Sequence, residues 1–301
     1  MTERLTRRGW IKTVGAATAA ATLCRPGYAI DPFKRPHGPR MKLSLAAYSF
    51  RGLLTGRSPR WTLDDFIDFC AEQQLDGTEL TSYYFPSPVT PQYLNHLKQK
   101  CFLLGLDISG TAIRNVFTHP PGPDRDRELA HVRRWIDYAA GMGAPVIRIF
   151  SGGIPRGHTL QKARRWCIET IEAACDYAGS RGVFLALENH GGISTTAEDI
   201  LAIVRDVRSD WFGVNLDTGN FRSKDPYRDI ELVAPFAVNV QVKVEIRPEG
   251  SARQRADFQR IVRILRSVDY RGYLVLEYEA AEPPLRAVPR YLAELREAMA
   301  A

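Results

Sequence analysis

The stretch Val183–Gly192, which reads Val-Phe-Leu-Ala-Leu-Glu-Asn-His-Gly-Gly, decides how the rest of the chain is interpreted. An apolar run that turns polar and then meets a glycine pair is typical of a buried strand ending at a turn. Because side chains alternate along a strand, Glu188 and His190 share one face with Ala186. A carboxylate at the end of a buried strand is costly to leave unpaired. Glu188 therefore predicts polar partners elsewhere in the chain.

Strand and helix patterns alternate eight times beyond residue 41. The predicted strands are 42–50, 76–85, 106–115, 144–151, 183–190, 212–219, 237–246 and 272–279. The predicted helices are 62–75, 90–105, 124–142, 159–181, 196–209, 226–236, 257–269 and 284–299. This alternation predicts an α/β fold, a single (β/α)₈ TIM barrel over residues 42–301. A doubly wound open sheet is the alternative, but no Gly-rich phosphate loop follows an early strand.

The seventh predicted strand, Ala237–Ile246, supports a closed barrel. Its valines and Ile246 fall on one face, and its other face carries Asn239, Gln241, Lys243 and Glu245. In a barrel the polar face points inward while the valines pack under the helices. The same parity predicts further inward polar side chains, namely Tyr48, Arg148, Asn215, Asp217, Glu277 and Glu279. Barrel interiors are normally apolar, so these groups indicate a function.

Four of the inward residues predict a metal site. Active sites of such barrels lie at the carboxyl ends of the strands, and strands five to eight each supply one polar residue there. These residues are Glu188, Asp217, Gln241 and Glu277. Three neighbouring carboxylates repel one another unless a cation compensates. Four oxygen donors favour one divalent metal, with Mn²⁺ or Mg²⁺ preferred and Co²⁺ or Zn²⁺ as alternatives.

Four motifs in order resemble the xylose-isomerase-like sugar phosphate isomerase/epimerase family. They are Leu-Glu-Asn-His at 187–190, Leu-Asp-Thr-Gly-Asn at 216–220, Val-Gln-Val-Lys at 240–243 and Gly-Tyr-Leu-Val-Leu-Glu-Tyr-Glu at 272–279. The resemblance implies that Glu188, Asp217, Gln241 and Glu277 bind the metal, with the two glutamates as catalytic acid/base groups. Gln241 stands where many members have His. Asn220 replaces a common His, which leaves the substrate open.

The chemistry that this resemblance implies is proton abstraction next to a carbonyl. The metal would stabilise the enediolate oxygen while one glutamate takes the proton. Return of the proton to the opposite face gives epimerisation, and return to the neighbouring carbon gives isomerisation. A 3-keto-glycoside lyase or hydrolase, or an inosose-dehydratase-like enzyme, is an alternative on the same site. A non-catalytic sugar-binding barrel is an alternative of another class.

Five further residues are candidates for contact with a small carbohydrate substrate: His190, Asn220, Lys243, Arg148 and Tyr48. For Arg148 and Tyr48 the alternative is a packing role at the rim. For His190 it is a core histidine bonded to a loop carbonyl, and for Lys243 an ion pair with Glu245. Three arginines after strand seven, Arg247, Arg253 and Arg255, are open to two interpretations. They form either an anion-binding site or a solvated basic face on a mobile loop.

The basic charge of the chain is concentrated in its first 40 residues. They carry eight Lys/Arg and two Asp/Glu, whereas residues 41–301 hold 33 basic and 32 acidic side chains. The barrel is thus nearly neutral, which argues against nucleic acid as a partner. A DNA-repair endonuclease on the same barrel would need more histidines for a multi-zinc cluster than the six present.

The leader resembles a twin-arginine export signal. Thr6–Lys12 reads Thr-Arg-Arg-Gly-Trp-Ile-Lys, and a short Ala/Thr-rich apolar run follows. Such a run is too short to span a bilayer. We therefore expect a signal peptide over 1–29, a linker over 30–41, and a periplasmic or extracellular protein without a stable membrane anchor after cleavage. The oligomeric state is left open. Export disfavours a phosphorylated substrate, because sugar phosphates are scarce outside the cytoplasm. Four cysteines in predicted helices are expected to be buried small residues.

Overall fold

A computed structural model describes residues 30–301 of the chain. The predicted signal peptide lies outside the described residues. The strands are β1 (Arg40–Ala46), β2 (Gly77–Glu79), β3 (Asp107–Ala112), β4 (Val146–Ile149), β5 (Phe184–Glu188), β6 (Phe212–Asp217), β7 (Ala237–Lys243), β8 (Glu245–Ile246), β9 (Gln254–Arg255) and β10 (Arg271–Glu277). The helices are α1 (Arg51–Leu54), α2 (Leu63–Glu72), α3 (Pro91–Leu103), α4 (Pro123–Met142), α5 (Leu160–Ser180), α6 (Ala197–Val204), α7 (Pro226–Val233), α8 (Phe258–Ser267) and α9 (Pro284–Ala300).

Eight parallel strands close into a barrel. Their order around it is β1, β10, β7, β6, β5, β4, β3 and β2, with every neighbouring pair parallel. Long helices follow the strands and cover the outside, so the predicted (β/α)₈ barrel is confirmed. Val240, Val242 and Val244 of the seventh strand region are buried under these helices, as the alternation predicts. In residues 30–301 no helix is long and apolar enough to cross a membrane.

Helix starts follow the capping signals in the sequence. Thr62 and Asp65 form a capping box at the start of α2, and the Thr196 hydroxyl accepts a hydrogen bond from Asp199 N (3.1 Å) at the start of α6. Such side chains satisfy amide groups that the first helical turn leaves free. The four cysteines of the described part are buried and unpaired, as predicted.

Every barrel strand ends at least two residues earlier than the sequence predicts, and β2 ends six residues earlier. Residues 47–50 and 82–84 are 3₁₀ turns rather than strand ends. The prediction that strand seven continues in the barrel to Ile246 is wrong, because Glu245–Ile246 pairs antiparallel with Gln254–Arg255. The alternating pattern continues into this hairpin, so periodicity alone does not mark where a strand leaves the barrel.

The segment before β1 closes the amino-terminal end of the barrel. Phe33 N donates to Pro235 O (3.0 Å), and Arg35 donates to Ala237 O at the start of β7. The Arg35 guanidinium also lies 5.1 Å from the centre of the Phe33 ring and 5.3 Å from that of Tyr270. The predicted site lies at the opposite, carboxyl-terminal end of the barrel.

Candidate active site

The register of the strands sets the key residues side by side. Glu188 of β5 pairs with Asn215 of β6, and Asp217 of β6 pairs with Gln241 of β7. Glu277, the last residue of β10, pairs in turn with Lys243, the last residue of β7. Three carboxylates and one ammonium group therefore lie at the carboxyl ends of neighbouring strands. Gln241 lies two residues before Lys243 on β7, further into the barrel.

Glycines permit the loops around the site to approach closely. Gly192 has φ +60°, and a Cβ there would lie 2.1 Å from Gly152 O, so only glycine fits where the loops after β4 and β5 meet. A Cβ at Gly219 would lie 2.5 Å from the Cβ of Lys243. The loop after β6 thus packs directly against the Lys243 side chain.

Neighbouring side chains of the motif at residues 187–190 have different roles. Glu188 points into the barrel, whereas Asn189 ties two strands together: its amide donates to Asp217 O (2.9 Å) and its oxygen accepts from Asp217 N (2.9 Å). These bonds fix the end of β5 against the end of β6. The Asn189 side chain is a positioning group for Asp217.

Two cations hold the buried carboxylates. Arg148 Nε lies 2.9 Å from Glu188 Oε2, and the Arg148 guanidinium also donates to Ile113 O (2.8 Å). Lys243 Nζ contacts the carboxylates of Glu277 and Glu279 and lies 3.4 Å from Asp217 Oδ2. Glu188 and Glu277 are therefore bound to different cations.

The buried charges do not balance. Glu79, Glu188, Asp217 and Glu277 are at most 5% exposed, and only two buried cations, Arg148 and Lys243, face them in the described part of the chain. With every group ionised, the barrel interior carries a net charge of −2. Burial therefore favours either protonation of carboxyls or entry of a dication.

The pKa values show this imbalance. Burial raises the pKa of Glu188, which Arg148 partly offsets, and the Glu277 charge raises it further. Burial likewise raises the pKa of Asp217 against the attraction of Lys243. Burial by itself would lower the pKa of Lys243, but Asp217, Glu277 and Glu279 together raise it well above its ordinary value. Lys243 is thus a permanent cation in this cluster.

The residues fit a divalent cation in charge. The Asp217 Oδ2 atom is buried and accepts no hydrogen bond within residues 30–301, and a dication would cancel the net charge of −2. As the side chains stand, however, no three His, Cys, Asp or Glu groups of the described part are arranged as a metal cage. Glu188, Asp217 and Glu277 would be the hard oxygen donors available to such an ion.

Gln241 belongs to a buried network beneath the carboxylates. Its amide donates to Glu79 Oε1 (2.9 Å) and its oxygen accepts from Asn215 (2.8 Å), while Asn239 donates to Glu79 Oε2 (3.3 Å). The Glu79 carboxylate is therefore bound by side-chain amides of β7. The Gln241 oxygen, the atom that would bind a metal, thus already accepts one hydrogen bond.

The Glu79 carboxyl makes the stability of the metal-free protein depend on pH. Burial raises its pKa from 4.5 to about 7, and the Glu277 charge adds to the shift. The folded state then binds more protons than the unfolded state, so the Glu79 contribution to stability falls as pH rises from about 4.5 to about 7.

The free energy of unfolding should fall with rising pH because of Glu79. We expect Glu79→Gln to remove roughly 3 kcal/mol of that fall. Urea unfolding at pH 5 and at pH 8 measures it, with the metal removed by dialysis against chelator. Asp124→Asn, at an exposed ion pair with Arg127, serves as the control. If the free energy of unfolding changes between pH 5 and pH 8 by the same amount in Glu79→Gln as in the unmodified protein, Glu79 titrates normally.

A cavity of about 190 Å³ opens above the carboxylates. The five predicted substrate contacts all line it: Tyr48, Arg148, His190, Asn220 and Lys243. Glu188 and Glu277 also line it, whereas Asp217 and Gln241 lie beneath its wall.

Hydrogen bonds and ring contacts order the cavity wall. Asn220 donates to Glu188 Oε1 (3.0 Å), and the His190 ring packs on Phe150 with centroids 4.4 Å apart. Burial lowers the pKa of His190, and the Arg148 charge lowers it further, so the imidazole is neutral at pH 7. A neutral imidazole both donates and accepts hydrogen bonds, which suits sugar hydroxyls.

Three lining residues escaped the sequence analysis: Tyr83, Arg114 and Phe150. Arg114 keeps the parity of Ala112 in β3, and Phe150 keeps that of Arg148 in β4. Both residues lie within the predicted strands 106–115 and 144–151, so applying the inward parity to every position of those strands would have found them. Tyr83 lies on a 3₁₀ turn after β2, where strand parity no longer applies, and the Arg114 guanidinium lies 5.3 Å from its ring centre.

Comparison with known proteins agrees with the architecture. The sequence profile described as xylose isomerase-like TIM barrel matches residues 67–298. A search of curated proteins finds no significant match. Among solved structures, a D-psicose 3-epimerase with D-tagatose from Clostridium cellulolyticum H10 is 17% identical at a TM-score of 0.71, over 86% of this chain and 99% of that one.

Two further solved structures share the fold. An L-ribulose 3-epimerase is 16% identical with a TM-score of 0.71, over 87% of this chain and 95% of that one. A 3-keto-D-glucoside 4-epimerase from E. coli is 17% identical with a TM-score of 0.66, over 86% of this chain and all of that one (100%). At these identities the likeness establishes the fold.

Proposed function

The chain belongs to the xylose isomerase-like TIM barrel family, and we propose on that premise that it is a sugar isomerase or epimerase acting next to a carbonyl. Structural neighbours described as D-psicose, L-ribulose and 3-keto-D-glucoside epimerases support this class of reaction. The finer assignment follows from the side chains of the cavity.

One observation carries the proposal: two buried glutamates face one cavity in different surroundings. Glu188 is bound by Arg148 and Asn220, whereas Glu277 is bound by Lys243. Carboxyl groups whose surroundings differ can hold different protonation states at one pH. One glutamate therefore removes the proton from the carbon beside the carbonyl, and the other returns a proton.

The other lining residues orient the sugar. Lys243 lies between Glu277, Glu279 and Asp217, so its ammonium group also steadies negative charge on a substrate oxygen. His190 and Asn220 offer hydrogen bonds to hydroxyl groups. Tyr48 and Phe150 supply ring faces and edges that exclude water from the reacting carbons.

We include one divalent metal, Mn²⁺ in first place, in this proposal. Glu188, Asp217 and Glu277 would hold it, with Gln241 as fourth ligand. When bound, such an ion supplies Lewis-acid stabilisation of developing oxygen charge. The Asp217 Oδ2 atom, which accepts no hydrogen bond within the described residues, and the interior charge of −2 support the assignment.

The substrate class follows from the leader and the cavity. The twin-arginine-like stretch Thr6–Lys12 supports export, and hence a non-phosphorylated ketose or cyclitol encountered outside the cytoplasm. A 3-keto-glycoside is the second candidate, supported by the 3-keto-D-glucoside 4-epimerase among the structural neighbours. With a leaving group one carbon further on, the same proton abstraction ends in elimination.

Proton exchange in D₂O tests this function. The Mn²⁺-loaded protein is incubated with ketoses, a cyclitol ketone and 3-keto-glycosides, and deuterium incorporation is followed by NMR. Exchange at one carbon with altered stereochemistry supports the epimerase, and release of an aglycone supports the lyase. Saturable sugar binding without any exchange would overturn the enzymatic proposal in favour of a sugar-binding barrel.

A further inference from the structure

A second cavity adjoins the active-site cavity. Its volume is about 200 Å³, and the two cavities share Asn220, Lys243 and Glu279 in their walls. The loop after β6 forms one side and the β8–β9 hairpin region the other. A ligand anchored here can therefore extend one end to the catalytic glutamates.

The second cavity is strongly basic, unlike the first. Its wall carries five cationic side chains, Arg51, Arg222, Lys243, Arg247 and Arg253, against two carboxylates, Glu245 and Glu279. The active-site cavity balances three cations, Arg114, Arg148 and Lys243, with three carboxylates, Glu188, Glu277 and Glu279. The surplus of positive charge is thus confined to the second cavity.

Several of these cations lack a carboxylate partner. Glu245 is occupied by Arg253 (3.3 Å), and Glu279 is occupied by Lys243. Arg51 donates to Tyr278 O (3.3 Å) and Arg222 donates to Phe221 O (3.0 Å), so backbone carbonyls hold both guanidinium groups in place. In residues 30–301 neither of them, nor Arg247, forms an ion pair.

The arginines also repel one another. Partial burial lowers the pKa of Arg222, and the charges of Arg247 and Arg253 lower it further, against the pull of Asp217 and Glu279. Like charges held together without compensation favour the binding of an anion. Arg255 differs, because it pairs with Glu294 and lies 5.7 Å from the Tyr291 ring centre. The three arginines after strand seven thus divide into two at the cavity and one outside it.

We propose that the second cavity binds an anionic substituent, a carboxylate or a phosphate, on the sugar whose reacting carbons occupy the active-site cavity. This rests on the proposed function, and it narrows the substrate from neutral ketoses to acidic ones. A carboxylate agrees with the export that the leader indicates, whereas a preference for the phosphate would overturn the exclusion of sugar phosphates. A guanidinium group matches the geometry of either anion through paired N–H donors. Arg222 and Arg247 are the principal anchors.

Binding of three matched sugars tests the proposal: D-fructose, D-fructuronate and D-fructose 6-phosphate. By calorimetry on the full chain, at low ionic strength, we expect an acidic sugar to bind at least about 10-fold more tightly than fructose. Raising the salt concentration should shrink this difference, because added ions screen exposed charges. The acidic sugar with the higher affinity identifies the anion.

The variants Arg222→Gln and Arg247→Gln should each reduce that preference, and the control Arg255→Gln should retain it. All three side chains are exposed, and thermal unfolding checks that the fold is intact. Equal affinity for all three sugars, or equal loss of fructose and acidic-sugar binding in the variants, would overturn the anion site.

Deuterium exchange on the same samples separates the two proposals. Exchange in fructose alone, without any charge preference, would reject the anion site and keep the enzymatic function. Charge-dependent binding without exchange would reject the enzymatic function and keep the anion site.

Discussion

Replacing Glu188 by glutamine is expected to reduce substrate deuterium exchange by about 10²- to 10⁴-fold, the usual contribution of a general acid or base. Glutamine keeps the shape of the side chain and its contact with Asn220, but it cannot take a proton from carbon. NMR of the exchanging sugar in D₂O measures the rate. Glu277→Gln should have an effect of similar size, because both glutamates act in one proton transfer cycle.

The control for these variants is Glu282→Gln. Glu282 pairs with Arg290 (2.7 Å) at the surface and lines neither cavity. Its exchange rate should equal that of the unmodified protein. Normal exchange in both Glu188→Gln and Glu277→Gln would contradict the assignment of the glutamates as acid and base, whatever the metal content.

Replacing Lys243 by methionine is expected to destabilise the metal-free protein by about 3–5 kcal/mol, the typical cost of removing one partner of a buried ion pair. Methionine fills a similar volume but leaves Asp217 and Glu277 without their shared cation. The loss should be larger at pH 8 than at pH 5.5, since protonation of the carboxyls relieves it at low pH. Urea unfolding at both pH values gives the free energies.

Mn²⁺ should restore much of the stability lost in Lys243→Met, because a dication can replace the missing ammonium charge. The matched control is Lys42→Met, whose exposed ion pair with Asp107 (2.7 Å) should contribute at most about 1 kcal/mol. Equal losses in the two variants would show that Lys243 does not compensate the buried carboxylates. The absence of any rescue by Mn²⁺, Mg²⁺ or Co²⁺ would argue against the metal site.

The predictions that depend on the two-residue repeat of a strand are confirmed within the strands. Alternation along the strands predicted which polar residues point inward, and Tyr48, Arg148 and Lys243 do line the cavity. It failed where the period stops. The ends of β1, β2 and β7 were placed too far along the chain, and Tyr83 on its 3₁₀ turn was not found.

The pairing of the charges also lay beyond the sequence. The four inward oxygen donors led to the prediction of a common cation. In the structure Glu188 instead forms an ion pair with Arg148, and Gln241 forms hydrogen bonds with Glu79 and Asn215. Arg148 and Glu188 lie on neighbouring strands, whereas Gln241 and Glu79 come from strands far apart in sequence. Which carboxylate meets which cation depends on distances through space, and no local pattern encodes them.

The sequence by itself determined the eightfold repeat, the family motifs and the inward set of polar residues, since each depends on local periodicity or on short runs of chain. Only the tertiary structure decided that Lys243 lies among three carboxylates and that Arg247 and Arg253 share a cavity while Arg255 does not. The physical reason is that electrostatic energy depends on distances through space. Barrel closure and the β8–β9 hairpin set those distances.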